Sequence, residues 1–162
     1  MRHVAMRVQI IMEILLLLVI ANGTPVVIAI LLGARLDRPL DGNLRFLDGR
    51  PLLGPSKTIR GVIGAVMATT LLAPLFGLAP ARGATFGLLA MSGDLLSSFI
   101  KRRLGIAPGH SAPLLDQLPE TLLPLGIMYP LLGATAREAL VAVLIFIAID
   151  LVFSRLRDRG KR

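Results

Sequence analysis

The sequence predicts an all-α membrane protein: five transmembrane helices around a polar cavity that faces the cytoplasm. Three observations carry that prediction. Long apolar runs recur along the chain, mean hydropathy is +0.75 with 54% hydrophobic residues, and polar, charged segments separate those runs. An apolar stretch of about 20 residues matches the hydrocarbon thickness of a bilayer, and 162 residues suit one integral membrane domain, 1–162. The six Phe, one Tyr and no Trp provide little of an interfacial aromatic belt, so orientation has to be read from charge. The lack of cysteine excludes disulfides, thiol chemistry and thiolate-bound metals, which leaves hard cations with oxygen ligands. Although the net charge is +8, the basic residues are spread between apolar segments without interleaved aromatics, a pattern that argues against nucleic acid as a partner.

The first span is expected at about 10–32. It is long and has no small-residue cleavage site after it, unlike a secretory signal. Asn22-Gly23-Thr24-Pro25 falls within it; Pro removes a backbone hydrogen bond, so a kink or partial break is expected, with Asn22 bonding either a freed backbone group or a ligand. Glu13, near the outer end, is expected to snorkel or to pair with an arginine.

Residues 33–60 form a long polar loop, whose leucines and Phe46 are apolar anchors that argue against disorder and whose Asp-Gly pairs at 41 and 48 read as turns. Its end, GPSKTIRG, places Ser56, Lys57, Thr58 and Arg60 around the first turn of the next helix, where free N–H groups favour anions. Walker spacing and a preceding strand are both missing, so this is not a P-loop. The second span (61–78) and third (84–100), joined by a short turn, are expected to pack antiparallel, with Gly61 and Gly64 permitting a close approach.

On the third helix, Gly83, Gly87, Ala90, Asp94, Ser97 or Ser98, and Lys101 recur every three or four residues and share one stripe. Small residues at one end of that stripe let a neighbouring backbone approach. The other end carries a carboxylate, hydroxyls and an ammonium. Asp94 lies about 10 Å of helix rise before Lys101, a depth at which an ionisable group is expected to be functional; a structural ion pair with Lys57 or Lys101 is the alternative. The loop 101–117 follows, rich in Pro and Gly, and returns Asp116 to the membrane face; its His110 has no second loop histidine with which to build a metal site. The fourth span (about 118–132) and fifth (about 139–153) are short, the fourth is irregular through Pro119, Pro124 and Pro130, and Asp150 is expected to partner an arginine.

Fourteen of the 18 Lys and Arg lie in 33–60, 101–117 and the C-terminal tail; four lie on the other side. This positive-inside bias puts the N-terminus outside and both polar loops and the C-terminus in the cytoplasm of a multi-pass cell-membrane protein. The arginines at 35, 38, 155, 157 and 159 then read as topology determinants or lipid headgroup contacts. Only three basic residues are lysines, and two of them, Lys57 and Lys101, sit in the two polar motifs. Such positions suit a compact ammonium.

The residues converge on phosphoryl chemistry. Asp94 and Asp116 are candidate ligands for Mg2+, which binds through few carboxylates plus substrate phosphates. Ser56, Lys57, Thr58, Arg60, Ser98, Lys101 and Arg102 are candidate phosphate contacts, with Asn22 and Asp48 as further nucleotide contacts. No nucleophilic side chain is needed if the second substrate is an anionic lipid phosphate drawn from the surrounding membrane lipids.

ANGTP at 21–25, PLDGNLRFLDGRPLLGPSKTIRG at 39–61 and SGDLLSSFIKRRLGIAPGHSAPLLDQL at 92–118 resemble the motifs of the archaeal CDP-archaeol synthases, in the same order and over most of the chain. The resemblance implies a Mg2+-dependent transfer of cytidylyl from CTP to an isoprenoid ether lipid phosphate, unsaturated archaetidic acid, forming CDP-archaeol and pyrophosphate in phospholipid biosynthesis. Lys101-Arg102, Pro108-Gly109-His110 and Asp116 also resemble the signature of CDP-diacylglycerol synthases. Ser111-Ala112 and Gln117 depart from its Gly-Gly and Arg, so the loop loses conformational freedom, and the additional N-terminal spans of those enzymes are not in this sequence. Two rival activities share the polar residues: a CTP-dependent polyprenol kinase, which wants a base for its alcohol and releases CDP, and a small cation transporter using Asp94. The outer halves of helices two and three, almost wholly apolar or small, provide little of the polar route that transport needs.

Overall fold

The apolar runs form helices because a backbone in lipid must satisfy its own hydrogen bonds. The computed structural model describes residues 7–110, 112 and 114–159. Within them are α1 (Val8–Leu32), α2 (Ile59–Leu72) running into a 3-10 turn (Ala73–Phe76), α3 (Pro80–Arg103), α4 (Gln117–Met128) and α5 (Ala136–Arg159). Helices α1 and α3 are central: α1 packs on α2, α3 and α5, and α3 on α2 and α4. The core lies between them, with Ile14, Leu17 and Leu18 meeting Phe86, Leu125, Met128 and Phe146. The opposite faces present Met12, Leu16, Ile30, Leu31, Ile63 and Leu71, an apolar exterior suited to lipid.

Four local differences from expectation have physical reasons. Pro25 does not break α1, which continues to Leu32; Asn22 Nδ2 donates to Leu18 O at 3.0 Å and Thr24 Oγ1 to Ile20 O at 2.6 Å, side-chain bonds that tie down the turn before it. Glu13 accepts from Gln9 Nε2 at 2.8 Å, its neighbour one turn back, and meets no arginine among the described residues. Helix α4 has 12 residues, about 18 Å by helical rise, and stops before 132 because Pro130 has no N–H to continue the ladder. Helix α5 starts earlier than expected, at Ala136, because Thr135 and Glu138 form a reciprocal cap: Thr135 N donates to Glu138 Oε2 at 2.8 Å and Glu138 N to Thr135 Oγ1 at 3.3 Å. Among the described residues three helical stretches, Val8–Leu32, Ile59–Phe76 and Pro80–Arg103, are long and apolar enough to cross a membrane.

The glycines of the α3 stripe are where backbones meet. A Cβ on Gly83 or Gly87 would overlap Thr69 of α2, and one on Gly93 would overlap the Pro119 carbonyl of α4. Gly61 and Gly64 serve a different neighbour from α3: added Cβ atoms there would meet Pro25 and Ile28 of α1. The small residues therefore let α2 fit between α1 and α3.

The two ends of the bundle differ. At one, Arg7 pairs with the buried Glu138 at 2.9 Å and Arg82 Nη1 donates to Leu131 O at 3.0 Å. At the other lie both polar loops, locked together. Arg50 Nη1 donates to the Arg103 carbonyl at 2.5 Å at the end of α3, while Arg103 stacks over Phe46 and Phe99 and pairs with Asp48. Inside the longer loop, isolated bridges join Pro39 to Thr58 and Arg45 to Pro51. The buried Asp41 carboxylate accepts N–H bonds from Asn43, Leu53 and Gly54 at 3.0, 2.8 and 3.2 Å.

Candidate active site

Thr58 caps α2, accepting from Gly61 N at 3.2 Å, and this fixes Lys57 just outside the first turn. Lys57 Nζ lies 2.6 Å from both carboxylate oxygens of Asp94 on α3. One helical face further along, Lys101 Nζ lies 2.6 Å from Asp116 Oδ1, whose other oxygen accepts Ala112 N at 2.8 Å. Both pairs open into one cavity of about 170 Å3, which Ser56, Ser98, Arg102 and His110 also line. The two distant acids and the cations of both loops thus share one pocket.

Arg102 is the informative member. It is 4% exposed, and its Nε and Nη1 have no hydrogen-bond partner among the described residues. Two desolvated donors on a permanent cation whose side chain lines a polar cavity create a demand that an anion satisfies. The structural alternative for Asp94 is realised in part, since it does pair with Lys57; yet both side chains remain about one-fifth exposed, at 23% and 20%, so the pair stays accessible from the cavity.

The other predicted residues divide. Thr58 and Arg60 line an adjoining cavity of about 280 Å3 that also contains Lys57 and Asp94. Arg60 is already engaged, donating to the Gly33 and Arg35 carbonyls and pairing with Asp37 at 2.9 Å, so it ties the start of the loop to α2. Asn22 lines a third cavity, of about 380 Å3, with Ser56, Lys57, Asp94 and Glu120. Asp48 is held outside all three by Arg103.

Three polar roles were not anticipated. Glu120, on α4, is 9% exposed and takes part in no hydrogen bond or ion pair among the described residues; as the one acid in the apolar run 117–132 it carried the signal of an expensive intramembrane charge. Asp41 had only the signature of a turn. Burial opposes its charge, but the N–H bonds from Leu53, Gly54 and Asn43 outweigh that and hold its pKa below the ordinary carboxylate value. Asp150, expected to meet an arginine, instead accepts from Gln117 Nε2. The arginines at 155, 157 and 159 could suggest a partner by sequence, but only folding showed that α4 begins beside α5.

Known proteins resemble this chain over most of its length. The CarS-like family, described as CDP-archaeol synthase, matches residues 7–157. A CDP-archaeol synthase of Aeropyrum pernix is 39% identical over 152 residues, covering 86% of this chain and 84% of that one. One from Hyperthermus butylicus is 44% identical over 104 residues, 60% of this chain and 59% of its own; for that relative the match spans under two thirds of its length. A solved structure, described as an intramembrane enzyme for archaeal membrane lipid biosynthesis, superposes with a TM-score of 0.69 at 38% identity, covering 87% of this chain and 90% of that one. The chain therefore belongs to the CDP-archaeol synthase family of multi-pass membrane enzymes.

Proposed function

We propose that this protein transfers the cytidylyl group of CTP to an isoprenoid ether lipid phosphate, releasing pyrophosphate, in a cavity open to the cytoplasm. The observation that carries the reading is the buried guanidinium of Arg102, whose Nε and Nη1 have no hydrogen-bond partner among the described residues, in the same pocket as the Lys57–Asp94 and Lys101–Asp116 pairs. A non-bridging oxygen of the lipid phosphate attacks the α-phosphorus of CTP in line; the bond from that phosphorus to the bridging oxygen breaks, and pyrophosphate leaves with the electron pair. Lys57, Lys101 and Arg102 hold phosphate oxygens, and Ser56 and Ser98 add hydroxyl donors. Rate enhancement comes from positioning and neutralisation of charge.

Asp94 and Asp116 suit Mg2+: two carboxylates on one polar cavity, with room for phosphate oxygens and water, is the donor set that ion takes. Bound there, Mg2+ would neutralise triphosphate charge and favour the leaving pyrophosphate. An apolar groove of about 390 Å3 between α1 and α5, lined by Val19, Val26, Phe146 and Ile149, runs beside the polar cavities, and its chemistry suits the lipid tails. The location of both polar loops at one end of the bundle, together with the charge bias, supports a cytoplasmic site with the N-terminus outside.

The test is turnover by purified protein in detergent with radiolabelled CTP, Mg2+ and the lipid phosphate. Pyrophosphate released only when the lipid phosphate is present is expected. Release of CDP from a lipid alcohol, or ion flux without turnover in proteoliposomes, overturns the reading.

A further inference from the structure

Asp116 stands where the 101–117 loop ends and α4 begins, and a set of local hydrogen bonds decides where its carboxylate sits. Asp116 N donates to Ala112 O at 3.0 Å and Asp116 Oδ2 accepts Ala112 N at 2.8 Å, which leaves Oδ1 to Lys101. The next residue, Gln117, is 3% exposed, and its Oε1 accepts Leu114 N at 2.5 Å. Leu114 has φ +67°, a left-handed conformation that a leucine keeps only where its surroundings hold it. Gln117 is therefore the clasp of the turn from which Asp116 projects.

A buried glutamine can present either end of its amide, and a clasp works only if that choice is fixed. Asp150, on α5, fixes it. The carboxylate accepts from Gln117 Nε2 and the Leu114 N–H can only donate, so nitrogen faces α5 and oxygen faces the turn. This is the one side-chain hydrogen bond between α4 and α5 among the described residues. Nothing else in the surroundings of Asp150 asks for an acid. It lines the groove whose walls are Val19, Val26, Phe146 and Ile149, where a carboxylate is costly and a leucine would sit more cheaply.

We infer that Asp150 is a positioning residue for the transfer reaction: from α5 it orients the Gln117 amide, which holds the turn at Leu114 and so keeps the Asp116 carboxylate on the phosphate pocket. The inference rests on the cytidylyl-transfer reading and extends its machinery to a helix that lends no side chain to that pocket.

The experiment compares the unaltered protein with Asp150→Leu, Asp150→Asn, Gln117→Leu and the double leucine variant, all full length in detergent. Three quantities are measured: kcat/KM for CTP, the thermal midpoint, and hydrogen exchange of the Ala112 and Leu114 amides without substrates. Asp150→Leu should lower kcat/KM roughly 10- to 100-fold, the scale of a misplacement of about 1 Å, with the midpoint unchanged or raised and the Leu114 amide exchanging at least about tenfold faster. Asp150→Asn keeps an acceptor for Nε2 and should restore most of the activity and the slow exchange. Because Asp150 acts through Gln117, adding Asp150→Leu to Gln117→Leu should cost no further activity.

Full activity in Asp150→Leu overturns the inference, as does a loss that follows a lowered midpoint or leaves Leu114 exchange unchanged. Asp150→Asn as impaired as Asp150→Leu overturns it too, as do additive losses in the double variant. An unaltered protein that releases no lipid-dependent pyrophosphate is a separate failure, that of the transfer reading; the exchange comparison then still decides whether Asp150 holds the turn.

Discussion

Asp94 and Asp116 each face a lysine at 2.6 Å, so neither carboxylate is spare while the pocket lacks a polyphosphate. On the proposed reading the lysines move their charge onto phosphate oxygens, which a shared, partly open cavity allows. Asp94→Asn or Asp116→Asn should lower turnover at least about 100-fold, the size expected when a charge-stabilising group is lost from such a site, while the variants still insert in membranes and stay monodisperse; steady-state kinetics beside size-exclusion profiles check this. Asp41 acts on stability instead. Asp41→Ala leaves three N–H groups without their acceptor and should cost about 1–3 kcal/mol, read as a lower thermal midpoint in detergent. Because its folded pKa is below the model-compound value of 3.8, its contribution is complete above that value and disappears as pH falls through the folded one. Protection of the loop amides from hydrogen exchange should accordingly be flat near neutrality and drop only in acid, a drop that Asp41→Ala removes.

At the scale of elements, the spacing of Gly83, Gly87 and Gly93 along α3 decides how near α2 and α4 can come. The same spacing sets where Lys57, carried just ahead of α2, meets Asp94. Gly93→Val places a side chain against the Pro119 carbonyl, backbone that cannot yield cheaply. The expected loss is at the upper end of the roughly 1–3 kcal/mol typical of overpacking, with activity falling further than stability because α4 starts from Asp116, its N-cap residue, which a displaced helix would carry away from Lys101. Thermal midpoint and kcat/KM, measured on one preparation, separate the two effects. The stripe on α3 was legible from periodicity alone, and Gly83, Gly87, Ala90, Ser97, Ser98 and Lys101 are indeed buried. The partner of each glycine was not legible, since a small residue marks a close approach without naming who approaches.

For the whole molecule, the asymmetry of its two ends gives a direct test of orientation. The natural chain has no cysteine, so a single introduced thiol is the only one to label. Leu47→Cys, at a site 95% exposed in the long loop, should react with a membrane-impermeant maleimide only in inside-out vesicles. Arg137→Cys, near the start of α5, should react only in right-side-out vesicles. The opposite pattern would put the nucleotide cavity away from the cytoplasm.

Composition and periodicity by themselves determined a helical membrane protein, the segments that become α1 to α3, and the acids and lysines worth naming, because hydropathy and spacing along a helix are local properties. Only the tertiary structure decided that Lys57 meets Asp94 while Lys101 meets Asp116, that Arg60 and Asp48 are tied up in the loops, and that Glu120 and Asn22 share a cavity. Those pairings join residues far apart in the chain, and which of several arginines or acids is left without a partner is settled only after every other group has taken its own.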